Sequence, residues 1–300
     1  MENPVVSIVI VTMNHEKFIE QACQSAVDQT YGNKEIIFLD NDSEDNTFEK
    51  GKKVLENSSI PSKIIKNTER INVSKNLNIL VSNASGKYIS ILSGDDWWKE
   101  NLIEEKVGYI SKNDCDFILS DGYKYIQETG ETVDAYAEKD KLQLVRNLKR
   151  FFHWNVVQNR SVNVGTFVKA ELLKNYPFDE NVNTEDWDMN LRLTCLGYKA
   201  GFIDKKLFYY RILKNSLSRN WKVMQNSYQQ VTSKYEDYIK ADKNLTKEYL
   251  LNLLKFKYEI QLTESNSEKE KNQILKSWKR EKYRIKYKQP VLFFKLLLLK

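Results

Sequence analysis

Over the first 120 residues, short apolar runs alternate with helical patterns, and this alternation constrains the fold more than any other feature of the chain. Val5–Val11, Glu35–Leu39, Ser62–Lys66, Tyr88–Leu92 and Asp116–Ser120 read as strands. Between them, Glu16–Gln29 carries Phe18, Ile19, Ala22 and Ala26 on one helical face, and helices are expected near Asn46–Leu55, Val73–Val81 and Glu100–Ser111. Such alternation with short connections predicts an α/β fold, a mostly parallel central sheet flanked by helices. Past residue 121 the pattern loosens. Leu142–Phe152, Glu171–Asn175 and Asp186–Leu196 look helical, while Val162–Val168, Lys199–Ile203 and Leu207–Tyr210 look extended. From Val223 the chain holds no Gly or Pro until Pro290, which predicts a helical C-terminal extension over 221–300 behind a main domain of 1–220.

Acidic residues stand where those strands end, and in sheets of this kind ligands bind beyond the carboxyl ends of the strands. Asp40 closes an apolar strand, where a carboxylate is costly without a donor or ligand, whereas Asp42, Ser43 and Asp45 can serve equally as turn and cap residues. Asp95 and Asp96 lie in the run Ser93-Gly94-Asp95-Asp96-Trp97-Trp98, directly after Tyr88–Leu92. Two adjacent carboxylates repel, and a divalent cation held against a diphosphate offsets that repulsion. Capping of the helix near Glu100 is the plainer alternative. Glu185-Asp186-Trp187-Asp188 opens a helix, where acids also favour the macrodipole; the functional reading needs one of them to take a proton from an attacking hydroxyl. Lys75 and Arg211 are basic partners for phosphate, or solvated charges.

Composition excludes several classes. Cys23, Cys115 and Cys195 are scattered, odd in number and without CxxC spacing, so neither a disulfide framework nor a thiolate zinc site is expected, and a reducing compartment is. No signal peptide and no bilayer-spanning run is read, which places the protein in the cytoplasm. The net charge of +6 is a property of the tail. Residues 271–300 hold ten Lys or Arg against Glu281 and contribute +9, leaving −3 on the rest.

Val5–Asn14, then Ala26-Val27-Asp28-Gln29-Thr30-Tyr31, then Ile36–Ser43 resemble the opening of family 2 glycosyltransferases, which are inverting enzymes of the GT-A fold acting on bacterial cell-surface glycans. The likeness continues through Ser85-Gly86-Lys87-Tyr88, Ser93–Trp98, Glu185-Asp186-Trp187, and Tyr210-Arg211 with Asn215-Ser216-Leu217-Ser218, covering about residues 4–218. It implies a GT-A fold with a nucleotide-binding half over 1–120 and an acceptor half over 121–220. It further implies transfer from a nucleotide-diphospho-sugar, expected to be UDP-linked, to a hydroxyl of a glycan or lipid-linked acceptor, with Mn²⁺ or Mg²⁺ as cofactor. Carried over by position, Thr12, Asn14 and Asp40 line the base and ribose, and Lys75 contacts the donor. Asp95 faces the ribose or shares the metal with Asp96; Asp186 is the base with Glu185 beside it, and Arg211 approaches the diphosphate. Met13, Asn41, Ser93 and Leu213 depart from the family pattern, and Ser93 removes the leading carboxylate of the usual acid triplet. A nucleotide-sugar-binding protein with impaired catalysis is therefore the alternative. A nucleotidyltransferase ranks lower, because Thr12-Met13-Asn14-His15 is not a glycine-rich phosphate loop.

Acceptor contacts are expected within 121–180, including His153, Trp154, Gly165 and Thr166. In the tail, Trp278, Tyr283, Tyr287, Phe293 and Phe294 are interleaved with the basic residues, and the chain ends in Leu296–Leu299 and Lys300. That pattern predicts an anionic membrane surface as partner, with the protein peripheral at the inner face of the cell membrane; packing on the body or an oligomer contact is the alternative. Nucleic acid is not an expected partner, since the acidic body offers no second basic surface.

Overall fold

The computed structural model describes residues 3–214, 216 and 220–287. The chain divides into two compact units, Met1–Phe152 with Arg160–Leu213, and His153–Asn159 with Lys214–Lys300.

The first unit is built on one sheet. Its strands are β1 (Val6–Thr12), β2 (Lys34–Asp40), β3 (Ser62–Lys66), β4 (Tyr88–Ser93), β5 (Trp97–Trp98), β6 (Phe117–Ile126), β7 (Glu131–Asp134), β8 (Phe167–Lys169) and β9 (Ala200–Ile212). They follow the order β3-β2-β1-β4-β8-β6-β9-β5, with β7 paired to β6. The first four run parallel, β8 lies antiparallel between β4 and β6, and β6 and β9 are parallel again. The helices are α1 (Ile19–Val27), α2 (Thr47–Glu56), α3 (Val73–Asn83), α4 (Leu102–Ile110), α5 (Glu138–Asn147), α6 (Phe151–Asn155, across the unit boundary), α7 (Ala170–Asn175) and α8 (Glu185–Cys195). The result is an α/β fold with a mixed central sheet flanked by helices.

The reason β1 is central is visible in its residues. Val6, Ile8, Val9 and Ile10 are all fully buried, as expected of a parallel strand covered on both faces. β3, at the edge, is exposed at Ser62, Lys63 and Lys66 and only half-buried at Ile64 and Ile65.

Two expectations are corrected. Val162–Val168 is not a strand: only Phe167–Lys169 pairs, and residues 160–166 form an irregular loop. Lys199–Ile203 and Leu207–Tyr210 are one strand, β9, interrupted by register shifts where it faces Ser120, Asp121 and Tyr123 of β6. Bulges of this kind leave no signature in hydrophobic alternation.

The second unit is helical, with α9 (Trp221–Ser233), α10 (Glu236–Ala241), α11 (Lys243–Glu264) and α12 (Glu268–Tyr287). Leu250, Leu254 and Tyr258 of α11 enclose Ile285 of α12, flanked by Ile274 and Trp278. Among the described residues no helix is long and apolar enough to cross a membrane.

Candidate active site

Register places the strand ends side by side. Thr12 pairs with Asp40, and Val11 with Ser93, so the carboxyl ends of β2, β1 and β4 form one rim. Asn14 and Asp42 both take the left-handed conformation at φ 55°, which Asn and Asp tolerate better than other side chains. That geometry lets the two turns interlock. The Asn14 backbone N–H donates to Ser43 Oγ at 2.8 Å, and Glu44 N–H donates to Asn14 Oδ1 at 2.9 Å. Asp40 is fully buried and accepts from Ser43 N (2.9 Å) and Ser43 Oγ (2.6 Å), which satisfies a carboxylate at the end of an apolar strand. Gly94 sits hard against Thr12, and a Cβ there would run into the Thr12 hydroxyl, so only glycine lets β4 leave the sheet this close to β1.

Asn41, in the place of a frequent second acid, performs a task an acid could not. Its amide nitrogen donates to Ile71 O (2.8 Å), while its oxygen accepts from Ile71 N and Asn67 Nδ2, both at 3.0 Å. This pins the segment leading into α3, where Lys75 is exposed in the first turn and its backbone N–H is capped by Asn72. α3 is stitched in turn to the segment ahead of α8 by Ser74 Oγ to Val182 O (3.0 Å) and by Asn78 with the Phe178 backbone (2.8 and 3.0 Å). Hydrogen bonds thus link the Asp40 end of the rim, through the Lys75 turn, to the approach of Glu185 and Asp186.

At the β4 end, Ser93 Oγ donates to Asp95 Oδ1 at 2.6 Å, so the serine that replaces an acid orients the next one. Asp96 is buried and accepts the Arg211 backbone N–H at 2.8 Å; burial, then the charge of Asp95, hold its pKa well above the usual carboxylate range. Arg211, itself 5% exposed, donates from Nε to Asp95 O (2.7 Å) and from its terminal nitrogens to Gln21 (2.6 Å) and Gln127. Its guanidinium carbon lies 4.4 Å from the Phe18 ring centre and 4.5 Å from that of Trp97. All three guanidinium nitrogens are engaged, so Arg211 braces the Asp95–Asp96 turn against β9. Gln21 and Gln127 are absent from the sequence-derived set, since no spacing rule connects positions 21, 127 and 211.

α8 begins at Glu185, one residue before its expected start. Asp186 Oδ1 accepts the Trp187 N–H at 2.6 Å, and Oδ2 accepts Asn163 Nδ2 at 2.8 Å. Burial of its carboxyl and the adjacent Asp186 charge push Glu185 up to about 8. Asn163 too was not read from the sequence, because the loop that carries it looks extended there. Of the expected acceptor contacts, Thr166 is buried, Gly165 offers its carbonyl to Lys106, and His153 meets the Tyr238 hydroxyl at 3.0 Å within the second unit.

Among the described residues no group of three or more His, Cys, Asp or Glu side chains is placed to hold a metal ion. The donor set at the β4 end is a pair of carboxylates, Asp95 and Asp96, whose mutual repulsion is of the kind a hard cation relieves.

Comparison with known proteins identifies the family. Residues 7–173 match the family model described as Glycosyl transferase family 2. Glycosyltransferase GlyA of Streptococcus pneumoniae is 27% identical over 228 residues, 72% of this chain but only 32% of GlyA, so the chain corresponds to about a third of that relative. An Escherichia coli relative, the UDP-Glc:alpha-D-GlcNAc-diphosphoundecaprenol beta-1,3-glucosyltransferase WfgD, is 29% identical over 227 residues, covering 73% of this chain and 82% of WfgD. Among solved structures, Staphylococcus aureus TarS in complex with UDP-GlcNAc aligns at TM-score 0.58 and 14% identity, over 91% of this chain and 80% of that one. The mannosyltransferase PcManGT from Pyrobaculum calidifontis, in complex with GDP-Man and Mn²⁺, aligns at TM-score 0.58 and 14% identity, over 94% and 70% respectively. At that identity the two structures speak for the fold.

Proposed function

The chain belongs to glycosyl transferase family 2 and is a glycosyltransferase that uses a nucleotide-sugar, and from that premise we propose that it moves a sugar from a UDP-sugar to a hydroxyl of a lipid-linked surface glycan, with inversion. The observation that carries this reading is the rim itself: buried Asp40 and Thr12 at one end, the Asp95–Asp96 pair beside them, and Asp186 on α8 held by two N–H donors.

In this reading Thr12, Asn14 and Asp40 line the base and ribose, with Asp95 on the ribose side. Lys75, exposed and free to swing, meets the donor phosphates, and Arg211 fixes the turn that carries the two acids while its charge supports the diphosphate. Asp186 accepts the proton of the acceptor hydroxyl as that oxygen bonds to the anomeric carbon. The bond from the anomeric carbon to the phosphate oxygen breaks on the opposite face, and the nucleoside diphosphate leaves with the electron pair. Glu185, pushed up to about 8 by burial and the adjacent Asp186 charge, holds its proton more readily than an ordinary carboxylate.

Asp96, with Asp95, would hold Mn²⁺ or Mg²⁺, which would supply neutralisation of charge on the departing diphosphate. The Mn²⁺ named with PcManGT and the UDP-GlcNAc named with TarS are consistent with this, as is the lipid-linked acceptor in the name of WfgD. The relatives' names favour an enzyme over a binding-only protein. A screen of nucleotide-sugars with Mn²⁺ tests the reading: nucleoside diphosphate release from a UDP-sugar supports it, and release confined to GDP-sugars overturns the donor assignment.

The membrane partner is supported by the exposed face of α12, where Lys276, Arg280, Tyr283 and Tyr287 follow one another at helical spacing. The rest of the basic, apolar-ended tail, residues 288–300, lies outside the described residues. A peripheral position at the inner face of the cell membrane follows from the same reading.

A further inference from the structure

We propose that Asn163 is a positioning residue for Asp186, its amide turned toward that carboxylate by Asn190. Asn190 lies four residues past Asp186 on α8, on the same helix face, and is fully buried. Its Nδ2 donates to Asn163 Oδ1 at 2.7 Å. Asn163 is left its nitrogen end to offer, and that end donates to Asp186 Oδ2 at 2.8 Å. The opposite amide orientation would set two N–H groups against each other on one side and two oxygens on the other, so the relay has one favourable sense.

The irregular loop carrying Asn163 is fastened on both sides. Val162 N–H donates to the Tyr136 hydroxyl at 2.6 Å, and Thr166 Oγ1 donates to Asn163 O at 3.0 Å. Ser161 Oγ receives both amides, from Asn163 at 3.2 Å and from Asn190 at 3.4 Å. Beyond it, the fully buried Lys106 donates to the Gly165 carbonyl. Gly165 takes φ +67°, and a Cβ there would press on the Trp98 ring at 3.0 Å, so the loop path is fixed by packing as well. An amide held this firmly delivers its donor at a set angle, which fixes the Asp186 lone pair that an acceptor hydroxyl would meet.

A donated hydrogen bond favours the charged carboxylate. Glu185 on the same helix moves the other way, up to about 8 through burial and the Asp186 charge. Titratable groups near Asp186 include buried Asp188 on the same helix and Tyr136 beside Val162, whose phenol burial raises above its usual range. The Asn163 amide is thus one donor that favours the charged form of Asp186.

This proposal rests on Asp186 being the base, and its test separates the two. The full-length chain, labelled with ¹³C at its carboxyl groups, is titrated by NMR, with Asp186→Asn locating the Asp186 signal. UDP release from UDP-glucose with Mn²⁺ is followed across pH in parallel. In Asn163→Ala the Asp186 midpoint should rise by about one pH unit, the acid limb of kcat should move with it, and kcat should fall about tenfold with KM little changed. Asn163→Ser, which keeps a hydroxyl donor, should recover part of the shift. If Asn163→Ala does not fold, Asn190→Ala must show the same direction of change. An Asp186 midpoint that stays in place overturns the positioning role whatever the activity. Transfer retained by Asp186→Asn would overturn the base assignment alone.

Discussion

Arg211 shows how a residue can be required at a site without presenting its charge to solvent. Burial works against its charge, while Asp96 and Asp95 support it. Truncation would leave Gln21, Gln127 and the Asp95 carbonyl without their donor. Arg211→Ala is expected to destabilise the fold by about 3 kcal/mol, measured by urea unfolding, and Arg211→Lys to lose much of the same, because an ammonium cannot reproduce the planar fork. Glu185 gives a test with a definite sign. Its pKa is raised in the folded state, so its contribution to stability is full below about pH 4.5 and is lost as pH rises towards about 8. Glu185→Gln should flatten the fall in stability across that window and gain on the order of 2 kcal/mol at pH 8, read as the pH dependence of the unfolding midpoint. Wild-type stability that holds level from pH 5 to 8 would contradict the raised value. At this scale Asp40, Asp95, Asp96 and Asp186 stand out in the sequence as candidates, because acids at strand ends and helix starts are conspicuous. The sequence concealed Gln21, Gln127, Asn163 and Asn190, whose importance comes only from what folding places next to them.

The elements explain why those residues could be found or missed. β1, β2 and β4 were legible because apolar β-branched runs bounded by polar turns have few alternatives, and observed ends differ from expected ones by a residue. β5, β7 and the short β8 were not legible. Two or three residues of strand, or the exposed Glu131–Asp134, carry no periodicity and exist because β6 and β9 offer them partners. The close passage of β4 over β1 at Gly94 makes a prediction at this level. Gly94→Ala should cost about 1–3 kcal/mol and, by displacing the Asp95–Asp96 turn, weaken UDP binding measured by calorimetry with Mn²⁺. Asp96→Ala, which leaves β4 free to follow its path but removes the acceptor of the Arg211 backbone N–H, should weaken chiefly the binding that depends on the metal.

For the whole molecule, charge is divided between a +9 tail and a −3 remainder. Ending the chain at residue 270 would be a poor test of the membrane reading, since it removes Trp278 and Ile285 from the cluster around Leu250, Leu254 and Tyr258. Replacing exposed Lys276, Arg280 and Lys286 by Gln leaves that packing whole. The expected result is loss of flotation with anionic vesicles, at about 1 kcal/mol per charge removed, and unchanged turnover of a soluble donor. Equal flotation would turn the account towards packing of the tail on the body or on a second copy. In the proposed reaction the rim transfers sugar through Asp186. The most direct measurement is nucleoside diphosphate release by Asp186→Asn with a UDP-sugar and Mn²⁺, alongside calorimetric binding of UDP. Binding within a fewfold of wild type, with turnover reduced by about a hundredfold or more, is the predicted result; turnover near that of wild type would contradict it.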